Sequence, residues 1–216
     1  MPPGPKPDRV VDQEIREKIH LEILKRTGAY LTNDHFLLPS GHHAPEYIEK
    51  ALVTTEPTFT EGLGGVIAKN FAQWPLDVVL ATGLGALILA HNVARAHPSH
   101  PMLIYATKGM SGPRRRVSLP REFQRFITEG TKVLIVEDLI TTGETLKLLI
   151  RLVTARGGQV VGIGCLWRRN SKVKLPQPIF SLVTRDFPTY LPEECPLCRD
   201  GVALNRQFAR GAQNKT

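Results

Sequence analysis

Apolar residues along the chain alternate between two spacings, and the changes mark the elements. From Val10 to Lys25, the residues Val11, Ile15, Ile19 and Leu21 to Leu24 recur at helical intervals, with Gly28 as a stop, so this spacing predicts a helix. Ala29 to Gly41 reads as two short extended pieces around turns. His42 to Val53, with weak alternation at Tyr47-Ile48 and Ala51-Leu52-Val53, reads as a strand. Helical spacing returns from Thr58 to Gln73 through Leu63, Val66, Ile67 and Phe71, and Trp74-Pro75 ends it. Then come five apolar runs: Asp77 to Ala81, Met102 to Tyr105, Val133 to Val136, Gln159 to Trp167 and Ile179 to Val183. Runs of this kind are strands buried on both faces. Helical stretches from Ala86 to Ala96 and from Leu146 to Ala155 lie between them. Strands alternating with helices predict an α/β class with a mostly parallel sheet.

Composition narrows the class without naming a function. A chain of 216 residues that is 42% hydrophobic and 22% charged can build a proper core. Its 28 basic and 20 acidic residues leave a net charge of +8, which suits polyanions. Nucleic acid and a phosphate-rich substrate fit that charge equally well. Three cysteines are an odd number in a chain too large to need stapling, so a reducing cytoplasm is expected. No apolar run reaches the ~18 residues of a membrane span. Met1 to Pro7 lacks the apolar core of a secretory signal. Residues 1–8 read as a disordered lead-in, 9–205 as one domain, and 206–216 as a flexible tail.

The chemistry is densest in one stretch. Val133 to Val136 leads into the adjacent carboxylates Glu137 and Asp138, then Leu139-Ile140, then Thr141-Thr142-Gly143-Glu144-Thr145 at the start of a helix. Open α/β sheets place ligands at the carboxyl ends of their strands. Hydroxyls and backbone N–H groups at a helix N-terminus form an anion site. Acids beside an anion cradle suit a ligand with hydroxyls or a metal at one end and a phosphate at the other, as in a phosphorylated sugar. Thr82-Gly83-Leu84-Gly85, between a strand and a helix, offers a second cradle or a close-packing turn. Ala106 to Arg125 carries Lys108, Arg114-Arg115-Arg116, Arg121 and Arg125, and its composition is that of a loop. Such a basic loop serves as a lid over phosphates, a solvated segment or a nucleic-acid patch. Cys195 and Cys198 form a Cys-x-x-Cys pair, but Cys165 is the only other cysteine and no motif supplies histidine partners. The adjacent His42 and His43 are poorly placed to share one ion. The pair therefore reads as part of a structural tail.

The Val133 to Thr145 run resembles the phosphoribosyl pyrophosphate signature of type I phosphoribosyltransferases. Further pieces resemble the orotate branch. Phe36 to Tyr47 is similar to its N-terminal hood, although Pro39 stands where some members have Lys. Strand 159–167 ends in Arg168-Arg169 where the branch has Asp-Arg, and Tyr190 to Leu204 resembles its tail. The resemblance implies a central, mostly parallel five-stranded sheet flanked by helices, with a small hood formed by 28–55 and part of the C-terminal tail. It implies transfer of ribose 5-phosphate to a nucleobase, orotate being favoured, with Mg²⁺ held through substrate and water rather than by direct protein ligands. Glu137 and Asp138 would meet the ribose hydroxyls, Thr141 to Thr145 the 5′-phosphate, and Thr82 to Gly85, Lys108 and Arg114 the pyrophosphate. Arg169, Thr141 and Tyr47 would meet the base. The mobile loop of the family, shared between subunits, implies a homodimer. Another base is the first alternative, suggested by Pro39 and Arg168. A phosphoribosyl pyrophosphate sensor that binds nucleic acid is the second, suggested by the arginine runs.

Overall fold

The five apolar runs become five parallel strands because their branched and apolar residues are largely buried in the sheet, although Met102 and Tyr105 of the second run are exposed. The computed structural model describes residues 10–38, 40–111 and 114–208, with no account of the side chains of 10–13, 111 and 114. The expected lead-in, Pro39 and the end of the tail lie outside the described residues. In chain order the elements begin with α1 (Val10–Arg26), β1 (Tyr30–Leu31), β2 (Phe36–Leu37), β3 (His43–Ala44), β4 (Tyr47–Ile48) and α2 (Lys50–Val53). Next come α3 (Pro57–Phe71), β5 (Val78–Thr82), α4 (Leu84–Ala96), β6 (Met102–Ser111) and β7 (Arg114–Ser118). Last are β8 (Lys132–Ile140), α5 (Glu144–Thr154), β9 (Gln159–Arg168), β10 (Ile179–Thr184) and α6 (Pro196–Arg199).

The sheet order is β10-β9-β8-β5-β6-β7. The first five are mutually parallel, as expected. The sixth, β7, is antiparallel to β6 and corrects the reading of 106–125 as a loop. Thr107 pairs with Ser118 and Lys108 with Val117, so β6 continues past the core as a polar two-stranded ribbon. Backbone pairing holds that ribbon where burial does not, which is why its composition reads as loop. A charged outer strand also guards the sheet edge against further pairing. A smaller correction falls at Lys50–Val53, which is a helical turn capped by the Glu49 carboxylate on the Ala51 N–H.

Helices cover both faces. On one, Ile67 and Phe71 of α3 and Leu89 and Val93 of α4 pack over Val79, Ala81, Leu134 and Val136. On the other, Leu146, Leu149 and Val153 of α5 pack over Leu80, Ile135 and Ile163. Each such side chain stabilises the fold by roughly 1.5–3 kcal/mol. The close approach of α3 needs small residues beneath it: a Cβ on Gly162 would lie 2.4 Å from the Phe71 ring. The hood consists of two short antiparallel pairs, β1 with β4 and β2 with β3. The C-terminal segment joins it through the reciprocal His43–Tyr190 backbone bonds of 2.8 and 2.9 Å.

Candidate active site

Strand β8 carries the acids into the fold. It runs on to Ile140, beyond the expected end at Val136, because β9 is long enough to pair Glu137 with Cys165, Leu139 with Trp167 and Ile140 with Arg168. The chain leaves β5 through α4 toward β6, and leaves β8 through α5 toward β9. The connections therefore diverge between β5 and β8, opening the crevice where such sheets bind ligands. Gly83 (φ +89°) and Gly143 (φ +75°) are the N-caps of α4 and α5, and neither cap has a side-chain hydrogen bond. Positive φ at both points favours glycine. Two helix N-termini thus open onto the crevice with N–H groups available to anions.

Glu137 and Asp138 lie between them, only 4% and 6% exposed. Burial in the first place, and the Asp138 charge next, push the Glu137 carboxyl well above the ordinary carboxylate range, while Lys108 and Lys50 oppose the shift. Lys50 Nζ lies 3.1 and 2.9 Å from the two Asp138 oxygens. Gly85 is small for a reason: a Cβ there would sit 2.7 Å from Asp138 Oδ2. A Cβ on Gly83 would lie 3.8 Å from Lys108 Nζ, so that ammonium stands over the Thr82–Gly85 turn. Lys50, Lys108, Arg115, both acids and residues 139–146 line one recess.

The expected residues divide between side-chain and backbone roles. Thr141 and Thr142 are exposed at the turn and Thr145 is half-buried, leaving their hydroxyls at the mouth of α5. Thr82 is buried and its hydroxyl donates to the Ala106 carbonyl at 2.8 Å, so only its backbone can serve a ligand. The Leu84 side chain is 75% exposed and apolar, and its contribution is likewise backbone. Glu144 pairs with Lys147 on the helix surface at 2.7 Å. The Arg114 side chain is outside the described residues, but its neighbour Arg115 reaches the recess. Lys50 and Arg115 were absent from the sequence-based site. No local motif flags Lys50, which arrives from the hood.

A second group of contacts stands beside the acids. The Arg169 N–H donates to Ile140 O at 2.8 Å, which sets Arg169 next to Thr141. Its guanidinium lies 5.1 Å from the centre of the Phe187 ring, and its Nη2 is buried without a hydrogen-bond partner. Burial lowers its pKa, and the nearby Glu46 and Tyr47 oppose that shift. Tyr47 stacks on Phe36 with ring centres 5.5 Å apart. Arg168 is turned elsewhere, donating to the carbonyls of Ser171 (2.7 Å) and Val173. Its presence in place of Asp secures the following loop.

A paired-acid strand end, two uncapped helix N-termini and a basic rim together make a site for a phosphorylated, hydroxyl-bearing ligand. Residues 57–188 match the family model for the phosphoribosyl transferase domain. The chain belongs to the phosphoribosyltransferase family. It is 35% identical over 192 residues to the orotate phosphoribosyltransferase of Caldicellulosiruptor bescii, covering 88% of this chain and 96% of that protein. It is 36% identical over 186 residues to that of Thermus thermophilus, covering 85% and 97%. The fold is that of orotate phosphoribosyltransferase from Aeropyrum pernix, with a TM-score of 0.59 at 20% identity over 76% of this chain and 92% of that one. In this fold the sixth strand is an antiparallel addition at the sheet edge.

Proposed function

We propose that this chain transfers ribose 5-phosphate from phosphoribosyl pyrophosphate to orotate, forming orotidine 5′-monophosphate and pyrophosphate. The observation that carries the reading is the buried Glu137–Asp138 pair set between two uncapped helix N-termini. In the reaction the C1′–oxygen bond to pyrophosphate breaks, and a C1′–nitrogen bond to the base forms. Catalysis is then positioning together with stabilisation of developing charge. The N–H groups of Glu144 to Leu146 and the Thr141, Thr142 and Thr145 hydroxyls hold the 5′-phosphate. Gly83 to Gly85, Lys108 and Arg115 take the leaving pyrophosphate, and Glu137 and Asp138 accept hydrogen bonds from the ribose hydroxyls. The unpartnered Arg169 Nη2 favours an acidic base, because a guanidinium fork matches a carboxylate. Arg115 lines the recess beside Lys108, which favours use of the hairpin on substrate rather than on nucleic acid.

Two buried carboxylates and nearby hydroxyls are the hard oxygen donors that Mg²⁺ prefers, so the residues fit that ion near Glu137 and Asp138. When bound, it would supply charge neutralisation for the leaving pyrophosphate. The reading includes a homodimer, supported by exposed apolar side chains at Leu84, Met102, Tyr105 and Met110 along α4 and β6. It also includes a cytoplasmic setting, supported by three unbridged cysteines. No helix among the described residues is long and apolar enough to cross a membrane.

The test is an assay with phosphoribosyl pyrophosphate and Mg²⁺ against a panel of bases. Pyrophosphate release with orotate is expected; turnover with uracil or a purine but not orotate overturns the reading. Asp138→Asn should lower kcat by about 10²–10³-fold, in the range of lost transition-state contacts, while leaving the thermal transition in place. Near-normal turnover in that folded variant removes Asp138 from the site.

A further inference from the structure

Four potential metal ligands from opposite ends of the chain converge at the hood, away from the recess. His35 stands just before β2 and His43 in β3, while Cys195 caps α6 and Cys198 lies within it. The ligand atoms all lie within 4.8 Å of one another. His35 Nε2 is 2.9 Å from His43 Nδ1, 3.5 Å from Cys195 Sγ and 3.8 Å from Cys198 Sγ, and Cys198 Sγ is 3.3 Å from His43 Nδ1. His35, His43 and Cys195 are buried, at 1%, 6% and 0% exposure, and Cys198 is exposed.

We propose that His35, His43, Cys195 and Cys198 bind one zinc ion as a closed structural site. Zinc–sulfur and zinc–nitrogen bonds of ordinary length, set tetrahedrally, separate their ligand atoms by about 3.3–3.8 Å. Three of the four separations given above fall in that range, the 2.9 Å pair must open slightly, and the remaining pairs, within 4.8 Å, must close by at most about 1 Å. Two thiolates with two imidazoles in such an arrangement select zinc among the common divalent ions. An outer contact supports the assignment: His35 Nδ1 lies 2.7 Å from the Val202 carbonyl. An Nδ1–H donating to that carbonyl leaves the Nε2 lone pair aimed into the cluster, as metal-bound histidines are held. On coordination each thiol loses its proton to solvent, so two protons leave as one Zn²⁺ enters. Four protein ligands leave no open position, so the ion takes no part in ribosyl transfer. Its work is to clamp the tail to the hood. The same junction holds the His43–Tyr190 backbone pair, and the Asn205 N–H donates to the His35 carbonyl at 2.7 Å. Phe36, next to His35, stacks on Tyr47, so the clamp also steadies the hood beside Arg169.

The test needs no substrate. The full chain is purified under reducing conditions, without chelator, from zinc-containing medium, and its metal is counted by mass spectrometry. About one zinc per chain is expected, retained in Asp138→Asn and lost in Cys195→Ser. Cobalt exchanged into the unaltered chain keeps the proposal falsifiable if Cys195→Ser fails to fold. Expected are the strong visible bands of tetrahedral cobalt and a sulfur-to-cobalt charge-transfer band. An unaltered chain that lacks stoichiometric zinc and gives only the weak octahedral cobalt spectrum overturns the proposal. So does a folded Cys195→Ser variant that keeps its zinc.

Discussion

At the scale of single residues, the buried acid pair trades stability for chemistry. Glu137 is held above its ordinary pKa, first by burial and then by Asp138, with Lys108 and Lys50 opposing. Between the ordinary glutamate value and the raised one, the folded chain keeps a proton that the unfolded chain has released. The fold therefore binds more protons there, and stability falls as pH rises through that window. Scanning calorimetry of the ligand-free protein should show this decline from mildly acidic pH upward. Glu137→Gln should flatten it and stabilise the protein by about 1–2 kcal/mol at the alkaline end, the usual gain when a strained functional group is relieved, while turnover falls. An unchanged pH slope in the variant would assign the titration to other groups. Glu137, Asp138 and the threonines after them were legible because their chemistry lies within one local run. Lys50 was not, because it meets Asp138 across 88 positions of sequence.

At the scale of elements, periodicity located every parallel strand, because each contains an apolar run that needs no partner to be recognised. It failed on β7 and on α2. The polar ribbon of β6 and β7 is held by its hydrogen-bond ladder, which leaves no hydrophobic imprint on the sequence. Lys50–Val53 is a single capped turn, too short to establish a period. The packing of α3 on β9 depends on a feature that periodicity also misses: the missing side chain of Gly162 under Phe71. Gly162→Ala should force the two elements apart and cost about 1–3 kcal/mol, the usual penalty of overpacking. A lowered urea midpoint with an unchanged m-value is the expected result; an unchanged midpoint would show that α3 can shift without loss.

At the scale of the whole molecule, the +8 charge finds a use in the recess, where Lys50, Lys108 and Arg115 ring the acids. The exposed apolar residues on α4 and β6 are expected to be covered by a second copy. Sedimentation equilibrium should then give twice the 24.0 kDa chain mass, and a monomer at micromolar concentration would refute the dimer. The sequence by itself determined the α/β class, the strand that carries the acids and the two glycine turns that open α4 and α5. Each of these is written in neighbouring residues whose spacing and chemistry act locally. Only the tertiary structure decided that Lys50 meets Asp138, that Thr82 is tied to Ala106 and that Arg168 secures a loop. It also brought His35 and His43 to Cys195 and Cys198. Those contacts depend on which distant segments the packed sheet and hood hold together, and no local pattern of side chains encodes that.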